Sequence, residues 1–66
     1  MKPGEILQKI GKSVTCPADM GNNSYKGIVI AMEPDLKSDI YGVEYYWVHV
    51  KDLSGFVSIW PSSRLK

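Results

Sequence analysis

The sequence predicts an all-β domain, a small barrel of four or five short strands with little helix. Three observations carry this reading. Short runs that suit a pleated, half-buried surface fall at residues 25–32 and 42–61, rich in Val, Ile, Tyr and Trp, and at 12–17, where apolar and polar residues alternate. Gly-, Asn-, Asp- and Ser-rich turn signals separate them. The chain has 66 residues, enough for one small domain whose core is marginal without a staple or a partner.

From the amino terminus, Pro3 and Glu5 suit a helix start, and Ile6, Leu7 and Ile10 recur at helical spacing. Gly11 ends the pattern, so residues 1–11 are expected to form an arm or a short helical turn, docked through its apolar stripe. Residues 12–66 are expected to form the barrel. In residues 12–17, Val14 and Cys16 alternate with Ser13 and Thr15, which reads as a first strand. Residues 18–24 carry turn chemistry. The second strand is Tyr-Lys-Gly-Ile-Val-Ile-Ala-Met at 25–32, with Gly27 expected to mark a bulge or tight bend. Ile28, Ile30 and Met32 fall on one side of it, Val29 and Ala31 on the other. Apolar character on both sides implies burial of both, one of them under another chain. Residues 33–41 form the longest polar loop.

Residues 42–61 read as a hairpin. Its turn is Asp52-Leu53-Ser54-Gly55, with Gly55 free to take a positive φ, and Pro61 ends the return strand because it has no N–H. Side chains two apart share a face. Taking the aliphatic sets Val48/Val50 and Val57/Ile59 as core leaves Tyr45, Trp47, His49, Phe56, Ser58 and Trp60 pointing outward. So aromatic an outer face predicts a surface that meets a partner. Pro61-Ser62-Ser63 is a one-turn 3₁₀ signal, and Leu65 is placed to close a last short strand.

Net charge is +1, without the strong basic bias usual for nucleic-acid binding. The single Cys16 excludes an internal disulfide framework and any multi-cysteine zinc site. With no basic-then-apolar leader and no run near bilayer-spanning length, a soluble, cytoplasmic protein is expected.

The ending Gly-Phe-Val-Ser-Ile-Trp-Pro-Ser-Ser-Arg-Leu-Lys (55–66) resembles the last part of SH3-like barrels, where a strand runs into a proline, a 3₁₀ turn and a final strand. Tyr25-Lys26-Gly27-Ile28-Val29 resembles the aromatic-x-glycine-x-aliphatic strand of such barrels. The resemblance implies a five-stranded SH3-like barrel with a 3₁₀ turn before its last strand. Val57-Ser58-Ile59-Trp60-Pro61 also resembles the Val-Gln-Ile-Tyr-Pro stretch of type II dihydrofolate reductases, SH3-like tetramers built around one pore. That likeness implies pore-facing side chains at Ser58 and Trp60 and a nicotinamide contact through the Ile59 backbone, with NADPH as cofactor. Ser58 lacks the paired amide contacts of glutamine, and Trp60 offers only an N–H. The family's first-strand lysine has no counterpart in Val14-Thr15-Cys16-Pro17.

Other polar residues are read more plainly. His49, the only histidine, has no acid at a spacing that orients it as a general base. Cys16 reads as a buried structural thiol. Glu33, Asp35, Asp39 and Glu44 match no metal-loop spacing and read as a solvated loop. The lysines are scattered. The resulting expectation is a non-catalytic, homo-oligomeric binding module without a cofactor. Its contact residues are Tyr45, Trp47, His49, Ser58, Ile59 and Trp60. The alternatives are an NADPH-dependent enzyme of the type II reductase kind and a small nucleic-acid-binding accessory protein.

Overall fold

The computed structural model describes residues 1–18, 21 and 23–66, and the fold is all-β. Its strands are β1 (Ser13–Cys16), β2 (Tyr25–Met32), β3 (Lys37–Ser38), β4 (Glu44–Tyr45), β5 (Trp47–Asp52) and β6 (Val57–Pro61). β1, β2, β5 and β6 form an antiparallel sheet in that order, while β3 and β4 make a separate two-stranded ribbon. One helical turn, α1 (Pro3–Ile6), precedes them, and a 3₁₀ turn (Ser62–Arg64) follows. Among the described residues no helix is long and apolar enough to cross a membrane.

α1 starts on Pro3, whose fixed φ suits the first helical position and whose missing N–H is not needed there. Of its expected apolar stripe only Ile6 reaches the core; Leu7 and Ile10 stay exposed. A single turn cannot carry three positions to one surface. Gly11, at φ 81°, turns the chain into β1, and its N–H donates to Val29 O at 2.7 Å.

The registers sort the sheet into two faces. On the inner one, Val29 stands opposite Val50, which stands opposite Ser58; Met32, Val48 and Trp60 make the next row. The core is Ile6, Val14, Cys16, Val29, Val48, Val50 and Leu65, with Met1, Tyr25, Met32, Tyr46 and Trp60 packed against it. Val14 and Cys16 lie on this side of β1, as their alternation predicts.

The bulge expected at Gly27 falls elsewhere. The register shifts between Val29 and Ala31, so Ile30 is the extra residue. The shift lets Val29 and Met32, three places apart, both face inward. Gly27 instead marks a close approach. A Cβ there would sit 2.5 Å from Val50 Cγ1 and 2.9 Å from Lys51 O.

The return strand is turned over relative to the expectation. Ser58 and Trp60 pair with Val50 and Val48 and share their inward face. Val57 and Ile59, expected in the core, are 41% and 54% exposed. The physical reason is visible in the contacts of Trp60. Its indole is large enough to cover the end of a small core, and its N–H finds partners there, donating to Tyr25 Oη at 3.0 Å and to Ser58 Oγ at 3.1 Å.

The first arm of the hairpin expected at residues 42–61 is also divided. Tyr46 breaks it, with its N–H donating to Ser62 Oγ at 3.0 Å while Ser62 N–H donates to Tyr46 O at 2.8 Å. The 33–41 loop contributes β3, which pairs with β4. The turn at 52–55 is as predicted, with Gly55 at φ 90°. One oxygen of Asp52 organises it, accepting from Ser54 N (2.9 Å), Ser54 Oγ (2.6 Å) and Phe56 N (3.0 Å). Of the turn expected at residues 18–24, Asp19, Met20 and Asn22 lie outside the described residues. Leu65 is buried, and Lys66 exchanges two backbone hydrogen bonds with Thr15 of β1, at 2.6 and 3.0 Å.

Candidate functional site

The strongest candidate surface is the sheet's outer face. Because registers align residues across strands, Ile28, Lys51 and Val57 form one row, and Ala31, His49 and Ile59 form the next. Trp47 and Pro61 form the last. Ile28, Ile30, Val57 and Ile59 all stand exposed on or beside this face. Its character is aliphatic, with His49 at the centre and aromatics at one end, rather than aromatic throughout.

Of the six residues predicted from sequence, four come together. Tyr45, Trp47, His49 and Ile59 lie on or at the margin of this face. Tyr45 belongs to β4 and meets Trp47 edge-on, with ring centroids 5.4 Å apart and planes at 85°. Ser58 and Trp60 are the correction. They face inward, where Tyr25 Oη and Ser58 Oγ share a hydrogen bond at 2.8 Å and the indole N–H reaches both. Arg64 lies over the Trp60 ring, 5.3 Å from its centroid, as a cation–π contact.

Ile28, Ile30 and Val57 belong to the face but are not among those six. Finding Val57 requires the register of β6 against β5, which no local pattern supplies. Ile28 and Ile30 leave a partial signal, since both sides of β2 read as apolar.

His49 has an acidic neighbour that spacing along the chain does not reveal. Antiparallel pairing of β2 and β5 carries Glu33 alongside, and its Oε2 lies 3.5 Å from His49 Nε2. Both side chains are open to water, so the pair forms a loose ionic contact when the imidazole is protonated. Among the described residues no group of three or more His, Cys, Asp and Glu is placed to hold a metal ion.

A hollow of about 230 Å³ adjoins the aromatic end of the face, lined by Asp39, Tyr45, Trp47, Pro61, Ser63 and Arg64. Asp39 is occupied in its own loop, its Oδ1 accepting from Tyr41 N at 2.8 Å and Val43 N at 2.9 Å. A larger hollow, about 460 Å³, lies between the amino-terminal turn and residues 42–44 and is lined by none of the six predicted contact residues. Cys16 is buried, and burial pushes its thiol above the usual range, against a smaller opposing effect of a hydrogen bond with Tyr25. That keeps it neutral and weakly nucleophilic at neutral pH.

No family model, curated protein or solved structure matches this chain.

Proposed function

We propose that this chain is a non-catalytic interaction module that works as a homo-oligomer, using the outer face of its sheet. One observation carries the reading. Among the described residues, Ile28, Ile30, Val57 and Ile59 are exposed together on or beside this face, while only seven hydrophobic residues of the chain are buried. Isolated exposed apolar residues are ordinary, but several grouped on one sheet face mark a contact surface. Burying it would also supply the apolar area that so small a core lacks.

The SH3-like relationship stays part of this reading, supported by the strand–proline–3₁₀ order at residues 57–64. The type II reductase alternative draws less support. It needs Ser58 and Trp60 to reach into a shared pore, and here both are engaged with Tyr25 on the inner side. The nucleic-acid alternative draws little, because the lysines on the outer face, Lys26 and Lys51, neighbour aliphatic residues rather than a stacking platform.

The test is light scattering across a micromolar concentration series. The expected result is an oligomer that Ile28→Lys dissociates into folded monomers. A protein that stays monomeric throughout the series overturns the proposal. NADPH titration followed by tryptophan fluorescence separates the enzyme alternative, which requires quenching.

A further inference from the structure

The free edge of β6 suggests how two copies join. In an antiparallel ladder, alternate residue pairs exchange hydrogen bonds, and the residues between them turn their N–H and C=O the other way. Asp52 N–H donates to Phe56 O at 3.0 Å, and Ser62 N–H donates to Tyr46 O at 2.8 Å. These two bonds set the parity of the β5–β6 ladder. Ser58 and Trp60 bond toward β5, and Val57 and Ile59 direct their backbone groups to the opposite edge.

The sheet ends there, and among the described residues no backbone hydrogen bond covers that edge. The other end of the sheet is different, because Lys66 bonds across to Thr15 on β1. Natural edge strands are usually protected by charge, bulge or cover. Among the described residues, Val57–Pro61 carries no charged residue, pairs without a register shift and has no backbone partner along its outer edge. Pro61 blocks only the last position.

We infer that β6 pairs antiparallel with β6 of a second copy, about a two-fold axis at Ser58, to make one continuous eight-stranded sheet. This rests on the self-association proposed above and adds to the outer-face contact a second one, at the sheet edge. Centred on Ser58, Val57 of each copy stands opposite Ile59 of the other, and the edge N–H and C=O groups of all four residues are used. Centred on Ile59 instead, Pro61 would stand opposite Val57 and, having no N–H, would leave the Val57 carbonyl without a donor. A second copy fits better than an unrelated strand because the join sets exposed Val57 beside exposed Ile59 twice, extending the apolar outer face across both chains.

The test uses the whole chain. Amide hydrogen exchange is measured at low and high protein concentration. The Val57 and Ile59 amides should gain protection on assembly, with Ser58 and Trp60 protected at both concentrations. Ile59→Pro removes an N–H that the chain's own ladder does not use. It should weaken association by ~10-fold or more while the monomer stays folded. Ser58→Cys in a Cys16→Ala background should oxidise to a covalent dimer, because the two positions would form a non-hydrogen-bonded pair with Cα atoms about 4.5 Å apart, within disulfide range. An oligomer in which Val57 and Ile59 exchange freely and Ser58→Cys does not crosslink overturns the edge pairing while leaving self-association intact. A protein monomeric at every concentration overturns both.

Discussion

The two faces of the four-stranded sheet are built from similar residues and meet opposite surroundings. Val14, Val29, Val48 and Val50 on the inner face are sealed beneath Ile6, Leu65 and the flank of Trp60. Ile28, Val57 and Ile59 on the outer face are aliphatic too, and they stand open. The difference lies in what the rest of the chain can reach. The amino-terminal turn and the carboxyl-terminal residues roof one side of the sheet, while Ile28, Val57 and Ile59 on the other stay exposed. In so short a chain, hydrophobicity marks surfaces that want cover, and connectivity decides which receives it from within.

That contrast can be tested by substitution, beginning where the loss should be greatest. Leu65→Ala opens a cavity in the roofed side and should cost about 3 kcal/mol, most of what a domain of this size possesses. Urea denaturation should find the variant largely unfolded. Gly27→Ala should cost about 2 kcal/mol by overpacking, since the new methyl meets Val50 and the Lys51 carbonyl in the same sheet. On the open side, Ile59→Thr should alter the unfolding free energy of the monomer by no more than about 0.5 kcal/mol. It should nonetheless reduce association in sedimentation experiments. A large loss of monomer stability there would mean that the two faces are not different in kind.

A smaller effect is expected from pH. The Ser54 hydroxyl, and after it the amides of Phe56, Ser54 and Gly55, hold the Asp52 carboxyl below its ordinary value. A group whose pKa is depressed by folding contributes stability above its unfolded pKa and loses it as pH falls through the folded one. The 52–55 turn should therefore be insensitive near neutrality and loosen only in acid, below the usual carboxylate range. Asp52→Asn should flatten that acid limb, read as the pH dependence of the thermal midpoint. Least of all should change at Cys16. Its buried, neutral thiol should react with a disulfide reagent only as fast as the fold opens, and denaturant should accelerate labelling sharply.

Much of this architecture is readable from local chemistry. Residues 25–32 form a strand with the bounds expected, and Val14 and Cys16 face the core because alternation leaves them no other side. Gly55 occupies the positive φ that the turn demands. The β6 strand is not readable in the same way. Val-Ser-Ile-Trp-Pro alternates cleanly, but alternation defines two sets without saying which set faces in. Taking aliphatic residues as interior and indoles as exterior gives the wrong answer, because Trp60 has a hydrogen-bonding partner inside and so loses nothing by turning there. Long-range pairing hides the rest. Nothing local brings Glu33 to His49, and nothing local breaks a strand at Tyr46 to meet Ser62. The candidate surface is therefore legible only in part, through Tyr45, Trp47, His49 and the two-sided apolar character of β2.

The clasp between Tyr46 and Ser62 has a mechanical implication. Ser62 grips the break between β4 and β5, Leu65 seats in the core three residues later, and Lys66 fastens to Thr15. The carboxyl-terminal residues thus act as a buckle, joining the ribbon, the interior and the first strand into one loop of force. Fraying at any of these points would slacken the others, so the molecule should open all at once rather than peel from an end.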